Sequence, residues 1–374
     1  MGMREPAEIG MPLEEVDTPS LLIEMDAFER NLKRMASAAA EASVRLRPHA
    51  KTHKCAVIAQ HQIELGAVGV CCQKVSEAET MVYGGVRDVL VTNEVVGSRK
   101  IARLVALAKE ARVAVCADDP TNVADLNAAA VRFGVRLPVL VETNVGANRC
   151  GVEPGAPTLV LARQIHGSPG LRFAGIHAYH GSAQHLRSFD ERRDAIERAC
   201  GWLRETLDLL HRDGIPCDVV TGAGTGTYAF EAASEVFTEI QPGSYIFMDV
   251  DYGRNLGADG KPVHEFEHAL LVYTTVMSRP TRDRAVVDAG LKAVSIDSGL
   301  PLIHGIAGVE YQRASDEHGK VQLTDLEVPL RVGTKLRLVP GHCDPTVNMY
   351  DWYVGVRNSR VEALWPIVAR GALL

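Results

Sequence analysis

A (β/α)₈ barrel followed by a mostly antiparallel β domain is the α/β fold class that the sequence predicts, and three observations carry it. Strand-like and helix-like stretches alternate from residue 18 to about 242, and parallel strands need such helical crossovers; eight units can close into a barrel. Beyond about Gly243 the helical patterns give way to short alternating runs bounded by Gly, Pro and Asp. An open doubly wound sheet is the other architecture to weigh, but no GxGxxG follows the first strand. The expected domains are therefore a barrel over 18–242 and a β domain over 243–374 together with 1–17.

Taken in order, Thr18-Pro19-Ser20 leads into the apolar run Leu21-Leu22-Ile23, counted here as the first barrel strand. Asp26 is placed to cap a helix whose apolar positions Phe28, Leu32 and Met35 keep helical spacing. Further strands are expected over 45–51, 67–73, 88–93, 112–118, 137–143, 171–180 and 217–225. Helical patterns lie between them, at 99–111 and most clearly at 189–212. The later runs at 269–277, 285–288, 335–339 and 352–356 read as antiparallel strands.

Composition narrows the class of partner. Forty basic residues against 47 acidic ones give a net charge of -7, which argues against nucleic acid or an anionic membrane as the main partner. The N-terminal residues show no signal-peptide pattern, and no run of eighteen apolar residues suggests a membrane span. Eight cysteines are scattered without a CxxC pair, so reduced thiols in a cytoplasmic protein are expected.

Three stretches could carry chemistry. In Arg45–Lys54, strand alternation would set Arg47, His49, Lys51 and His53 on one face. Four basic groups there would suit a phosphate and an aromatic oxyanion, and their crowding would lower the pKa of Lys51 towards a free amine able to form a Schiff base. A solvated basic strand end is the plainer reading. Thr221-Gly-Ala-Gly-Thr-Gly-Thr227, after the last expected barrel strand, lies where this fold commonly holds phosphate. In Pro340-Gly-His-Cys-Asp344, a continuing strand would put His342 and Asp344 on one face, half of a divalent-metal site suited to Mn²⁺ or Mg²⁺; a hydrogen-bonded turn is the alternative. Other strand ends are polar too, among them Gln73, Asn93 and His177 to His180, and barrel enzymes gather their sites at that rim.

Together with Cys71-Cys-Gln-Lys-Val-Ser-Glu-Ala78, Gly146-Ala-Asn-Arg149-Cys-Gly151, Ala178-Tyr-His-Gly-Ser182, Gly224-Thr-Gly226 and Gly341-His-Cys-Asp-Pro-Thr346, these motifs resemble the D-threonine aldolases. Those group with 3-hydroxy-D-aspartate aldolases and D-serine dehydratases among pyridoxal-phosphate enzymes of the alanine-racemase fold. The resemblance implies Lys51 as the Schiff-base residue, Arg149 near the cofactor's phenolic oxygen, and Tyr179 facing its pyridine nitrogen. It implies that Gly224, Thr225, Gly226 and Tyr245 help hold the phosphate, that His342 and Asp344 bind the metal, and that His185 acts as base at the substrate hydroxyl.

The activity implied is cleavage of D-3-hydroxy-α-amino acids to glycine and an aldehyde by a cytoplasmic homodimer. Asp251-Tyr-Gly-Arg254 resembles the hydroxyaspartate enzymes, and Arg254 is the candidate for a substrate β-carboxylate. A dehydratase of the same fold is the enzymatic alternative, although by resemblance those carry Cys where this chain has Asp344. A pyridoxal-phosphate carrier is the non-enzymatic one.

Overall fold

A computed structural model describes residues 4–374. Eight strands form one all-parallel sheet: β2 (Arg45–Leu46), β3 (Val70–Cys72), β4 (Asp88–Glu94), β5 (Arg112–Ala117), β6 (Leu137–Glu142), β7 (Leu171–Ala178), β8 (Val220–Gly222) and β9 (Glu239–Ile240). Their order is β2-β9-β8-β7-β6-β5-β4-β3. The two ends meet just beyond β2, where the Ala50 amide donates to Cys71 O and the Cys71 amide to Pro48 O, each at 2.8 Å. The sheet is therefore a closed barrel.

Its membership corrects the expected count. Leu21-Leu22-Ile23 belongs to β1 (Ser20–Glu24), which lies outside the barrel, and Glu239–Ile240 is the eighth barrel strand. An apolar run suits either sheet, and a strand of two residues has no period to read. The helix after β1 starts at Met25, so Asp26 sits in its first turn rather than capping it.

The second sheet also contains β10 (Leu270–Thr281), β11 (Arg284–Val287), β12 (Leu302–Ile303), β13 (Val309–Ala314), β14 (Gly319–Leu323), β15 (Lys335–Val339), β16 (Trp352–Arg357) and β17 (Arg360–Pro366). Its order β13-β14-β11-β10-β1-β16-β17 is antiparallel except where β1 runs parallel to β16, while β15 pairs with β10 and β12. One apolar core fills the space between barrel strands and helices, with Met81, Leu104 and Leu126 fully buried. A second, around Phe28, Phe247 and Tyr353, joins the helix Met25–Glu41 to the β domain. Tyr353 OH, on β16, also donates to His53 O at 2.7 Å and so ties the β domain to the barrel rim.

Arg47 does not join the other basic side chains at that rim. Its guanidinium turns to the opposite mouth of the barrel, where Nε meets Glu239 at 3.0 Å and Nη1 meets Asp88 at 2.7 Å. Strand geometry ends at Leu46 and Pro48 follows, so the alternation expected through Lys51 is broken. Arg47→Ala would leave the buried Glu239 without its close partner, a loss of about 3 kcal/mol. Urea unfolding of the variant checks this, and an unchanged midpoint would show that Arg45, 3.6 Å from the same carboxylate, suffices.

Candidate active site

The rim of the barrel that faces the β domain holds a partly open cavity of about 120 Å³. Most wall residues owe their place to a strand end. His49 and Lys51 follow β2, Gln73 follows β3, Thr92 lies on β4, Arg149 follows β6, and His177 and Tyr179 come from the end of β7. Ala223, Gly224 and Thr225 follow β8, the seventh barrel strand, while Gly243 and Ser244 follow β9, the eighth. Loops after the seventh and eighth strands are where this architecture commonly binds phosphate.

Lys51 enters from a turn, its ammonium bonded to the Asp344 carboxylate; the side chains are 37% and 14% exposed. Burial pulls the amine down, but Asp344 and then Tyr179 outweigh it, and Lys51 is held above its ordinary pKa. This reverses the expected lowering: Arg47 is absent from the rim, and burial pulls His53 down to about 3, leaving it neutral. Asp344 shows the counterpart: burial raises its pKa, but Lys51 and His342 outweigh burial and hold it well below the carboxylate range.

The strand before His342 does not continue as expected. His342 is the N-cap of a short helix, Cys343–Val347, so Asp344 lies in its first turn rather than on a shared strand face. Asp249, fully buried, fixes the bend by accepting from the Cys343 amide at 2.9 Å and the Tyr252 amide at 3.0 Å. His342 Nδ1 meets Asp297 at 2.8 Å, which orients the ring and turns Nε2 away from that partner.

Arg149 stacks its guanidinium carbon 5.7 Å from the Tyr179 ring centroid, and burial pushes the Tyr179 phenol up. The amides of Gly224 and Thr225 find no acceptor among the described residues. The other expected phosphate holders sit differently. The Gly226 amide is taken by Gln184 at 2.9 Å. Tyr245 is buried in the core with its hydroxyl accepting from Gln62 at 3.1 Å, so only its amide, bonded to Thr225 Oγ1 at 3.0 Å, supports the loop.

His185 stands beside the cavity rather than in its wall, half-exposed, with Nδ1 2.6 Å from Asp251 and its ring 5.7 Å from that of Tyr252, a wall residue. Arg254 is exposed and donates to Ser298 O at 3.2 Å, near the His342 ring, which Ser298 Oγ meets at 3.4 Å. Asn93 only donates to Gln73 O at 3.0 Å, as a turn residue does. Thr52, Gln241 and Tyr252 also line the wall; Thr52 and Tyr252 lie in stretches singled out for other residues, and Gln241 follows a strand too short to show a period.

Pyridoxal phosphate and a divalent metal fit these residues. The cavity pairs an amine with two free backbone amides, and Thr52 Oγ1 and Gln73 Oε1 in its wall are buried without partners. The ionised Asp344 and the oriented His342 supply the O and N donors that a hard divalent ion takes.

The family model described as "Alanine racemase, N-terminal domain" matches residues 23–251, and "Putative serine dehydratase domain" matches 269–356. The chain is 48% identical to a 3-hydroxy-D-aspartate aldolase of Paracoccus denitrificans, over 99% of this chain and 96% of that protein. The solved structure of D-threonine aldolase from Filomicrobium marinum superposes with a TM-score of 0.97 at 49% identity, covering 99% of this chain and 100% of that one. A D-threo-3-hydroxyaspartate dehydratase of Delftia sp. is 27% identical over 94% of this chain and 97% of its own.

Proposed function

The chain belongs to the family of the 3-hydroxy-D-aspartate and D-threonine aldolases, carbon–carbon lyases, and from that premise we propose that it cleaves D-3-hydroxy-α-amino acids to glycine and an aldehyde with pyridoxal phosphate and a divalent metal. The observation that supports this best is the contact of Lys51 with Asp344, which joins a cofactor amine from the barrel to a metal-type carboxylate from the β domain. Bound there, pyridoxal phosphate supplies an electron sink and the metal a Lewis acid.

The residues of the chain divide the remaining work. Lys51 would hold the cofactor covalently, Arg149 and Tyr179 would flank its ring, and the Gly224 and Thr225 amides would take its phosphate. His342 and Asp344 would hold the metal beside the substrate hydroxyl. Asp251 accepts from His185 Nδ1 and is itself fixed by Arg187, so Nε2 of a neutral His185 carries the lone pair. That nitrogen is suited to take the hydroxyl proton as the Cα–Cβ bond breaks. Incubation with D- and L-threonine, with and without Mn²⁺, tests the reading: glycine and acetaldehyde should form from the D isomer only, and only with metal. Equal turnover of the L isomer would overturn it.

For substrates with a β-carboxylate, Arg254 beside the His342 loop is the proposed cation. Arg254→Ala should lose activity on D-3-hydroxyaspartate by roughly ten- to a hundredfold, as for one charged hydrogen bond, and change little on D-threonine. Equal losses on both substrates would assign Arg254 to holding the Ser298 loop instead. A cytoplasmic homodimer completes the proposal; the eight free thiols suit a reducing compartment, and the dimer rests on the resemblance. Among the described residues no helix is long and apolar enough to cross a membrane.

A further inference from the structure

Beneath the cavity, the barrel lumen holds a file of buried polar groups that the chemistry above leaves unused. Arg47 Nε donates to Glu239 Oε1 at 3.0 Å, and Thr221 Oγ1 donates to the same oxygen at 3.0 Å. Gln241 Nε2 donates to Thr221 Oγ1 at 2.7 Å, and Gln241 Oε1 lies 3.1 Å from His177 Nε2. On its other side His177 Nδ1 contacts the Glu142 carboxylate. Each of Glu142, His177, Thr221, Glu239 and Gln241 is at most 4% exposed.

The direction of this file is fixed from its lower end. Glu239, between Arg47 and Arg45, is an anion and can only accept. Thr221 has one proton and gives it to Glu239, so it must accept from Gln241. The reverse amide orientation would set two acceptors against each other in a dry site. Gln241 therefore turns its oxygen to His177, and His177 Nε2 must carry a proton. Nδ1 faces the Glu142 carboxylate at ion-pair distance, and a negative charge there favours a proton on the second nitrogen too.

We propose that His177 is an imidazolium throughout the working pH range, a positioning residue that sets a fixed positive charge in the cavity floor under the anionic cofactor. The proposal rests on the reading of that cavity as the pyridoxal-phosphate site. The charged and titratable groups around the ring agree with it. Burial opposes the charge, but Glu142, its hydrogen bond and that of Gln241, and then Glu94 outweigh burial and hold His177 above its ordinary value. Burial pushes the neighbouring Cys116 thiol far up, so it stays neutral. His49 is neutral too: its Nδ1 accepts from the Lys51 amide at 3.3 Å and its Nε2 meets Thr92 Oγ1 at 3.0 Å. Burial, then Lys51, and also His177 press His49 well below its usual pKa. Of the two floor histidines, one is thus charged and the other is not.

Nitrogen NMR of histidine-labelled full-length protein, with pyridoxal phosphate added, tests this. His177, assigned by its loss in His177→Gln, should still show two protonated nitrogens above the pH at which an ordinary histidine has lost one. In Glu142→Gln it should become neutral, with the proton on Nε2. The bound chromophore gives a second readout: Glu142→Gln removes both charges of the pair, of which only His177 lines the cavity, so its pH transition should rise by about a few tenths of a unit. A neutral His177 in the unmodified protein overturns the proposal, as does a chromophore transition that Glu142→Gln leaves in place. Absence of any chromophore would overturn the cofactor reading instead, and the NMR signature would still decide the charge on His177.

Discussion

Lys51→Ala loses bound colour and turnover together, the latter by at least about 10⁴-fold, the scale of a lost central catalytic group. The size of the effect follows from the cavity's contents. Lys51 carries the single primary amine among its wall residues, and the Arg149 guanidinium is too basic to replace it. Lys51→Arg separates charge from chemistry, because it keeps a cation against Asp344 but no amine able to form a Schiff base. Both variants should be colourless. Borohydride reduction followed by peptide mapping checks the assignment, and a reducible lysine adduct elsewhere in Lys51→Ala would contradict it.

Asp344→Ala keeps the colour and loses about 10³-fold in aldol cleavage, the equivalent of several kcal/mol of Lewis-acid stabilisation. The backbone bend should survive, because Asp249 rather than Asp344 accepts the Cys343 amide. Exhaustive chelation of the unmodified protein should reproduce the loss, and chelation of the variant should add little. Full cleavage by metal-free Asp344→Ala would remove the metal from the account.

The barrel was legible because alternating strand and helix patterns are long and repeated, and its polar strand ends announced the rim. Lys51, Arg149, Tyr179, Gly224 and Thr225 were found that way or by resemblance, and the structure brings all five to one cavity. What was misread depends on where a strand stops. Leu21–Ile23 pairs with β10 and β16 through contacts some 250 to 330 residues away in the chain, a separation on which local periodicity is silent. Arg47 left the basic face because the strand ends at Leu46, and His342 became a helix cap because Asp249 captures the next amide. The His177 file could not be read at all, since its members come from five separate segments and meet only when the barrel closes.

Products formed from D-3-hydroxyaspartate, with pyridoxal phosphate and Mn²⁺ supplied, test the central claim most directly. Cleavage of the Cα–Cβ bond between Lys51 and the His342–Asp344 pair predicts glycine and glyoxylate in equal amounts. Oxaloacetate and ammonia without glycine would show that the site expels the hydroxyl instead, and would contradict the aldolase account.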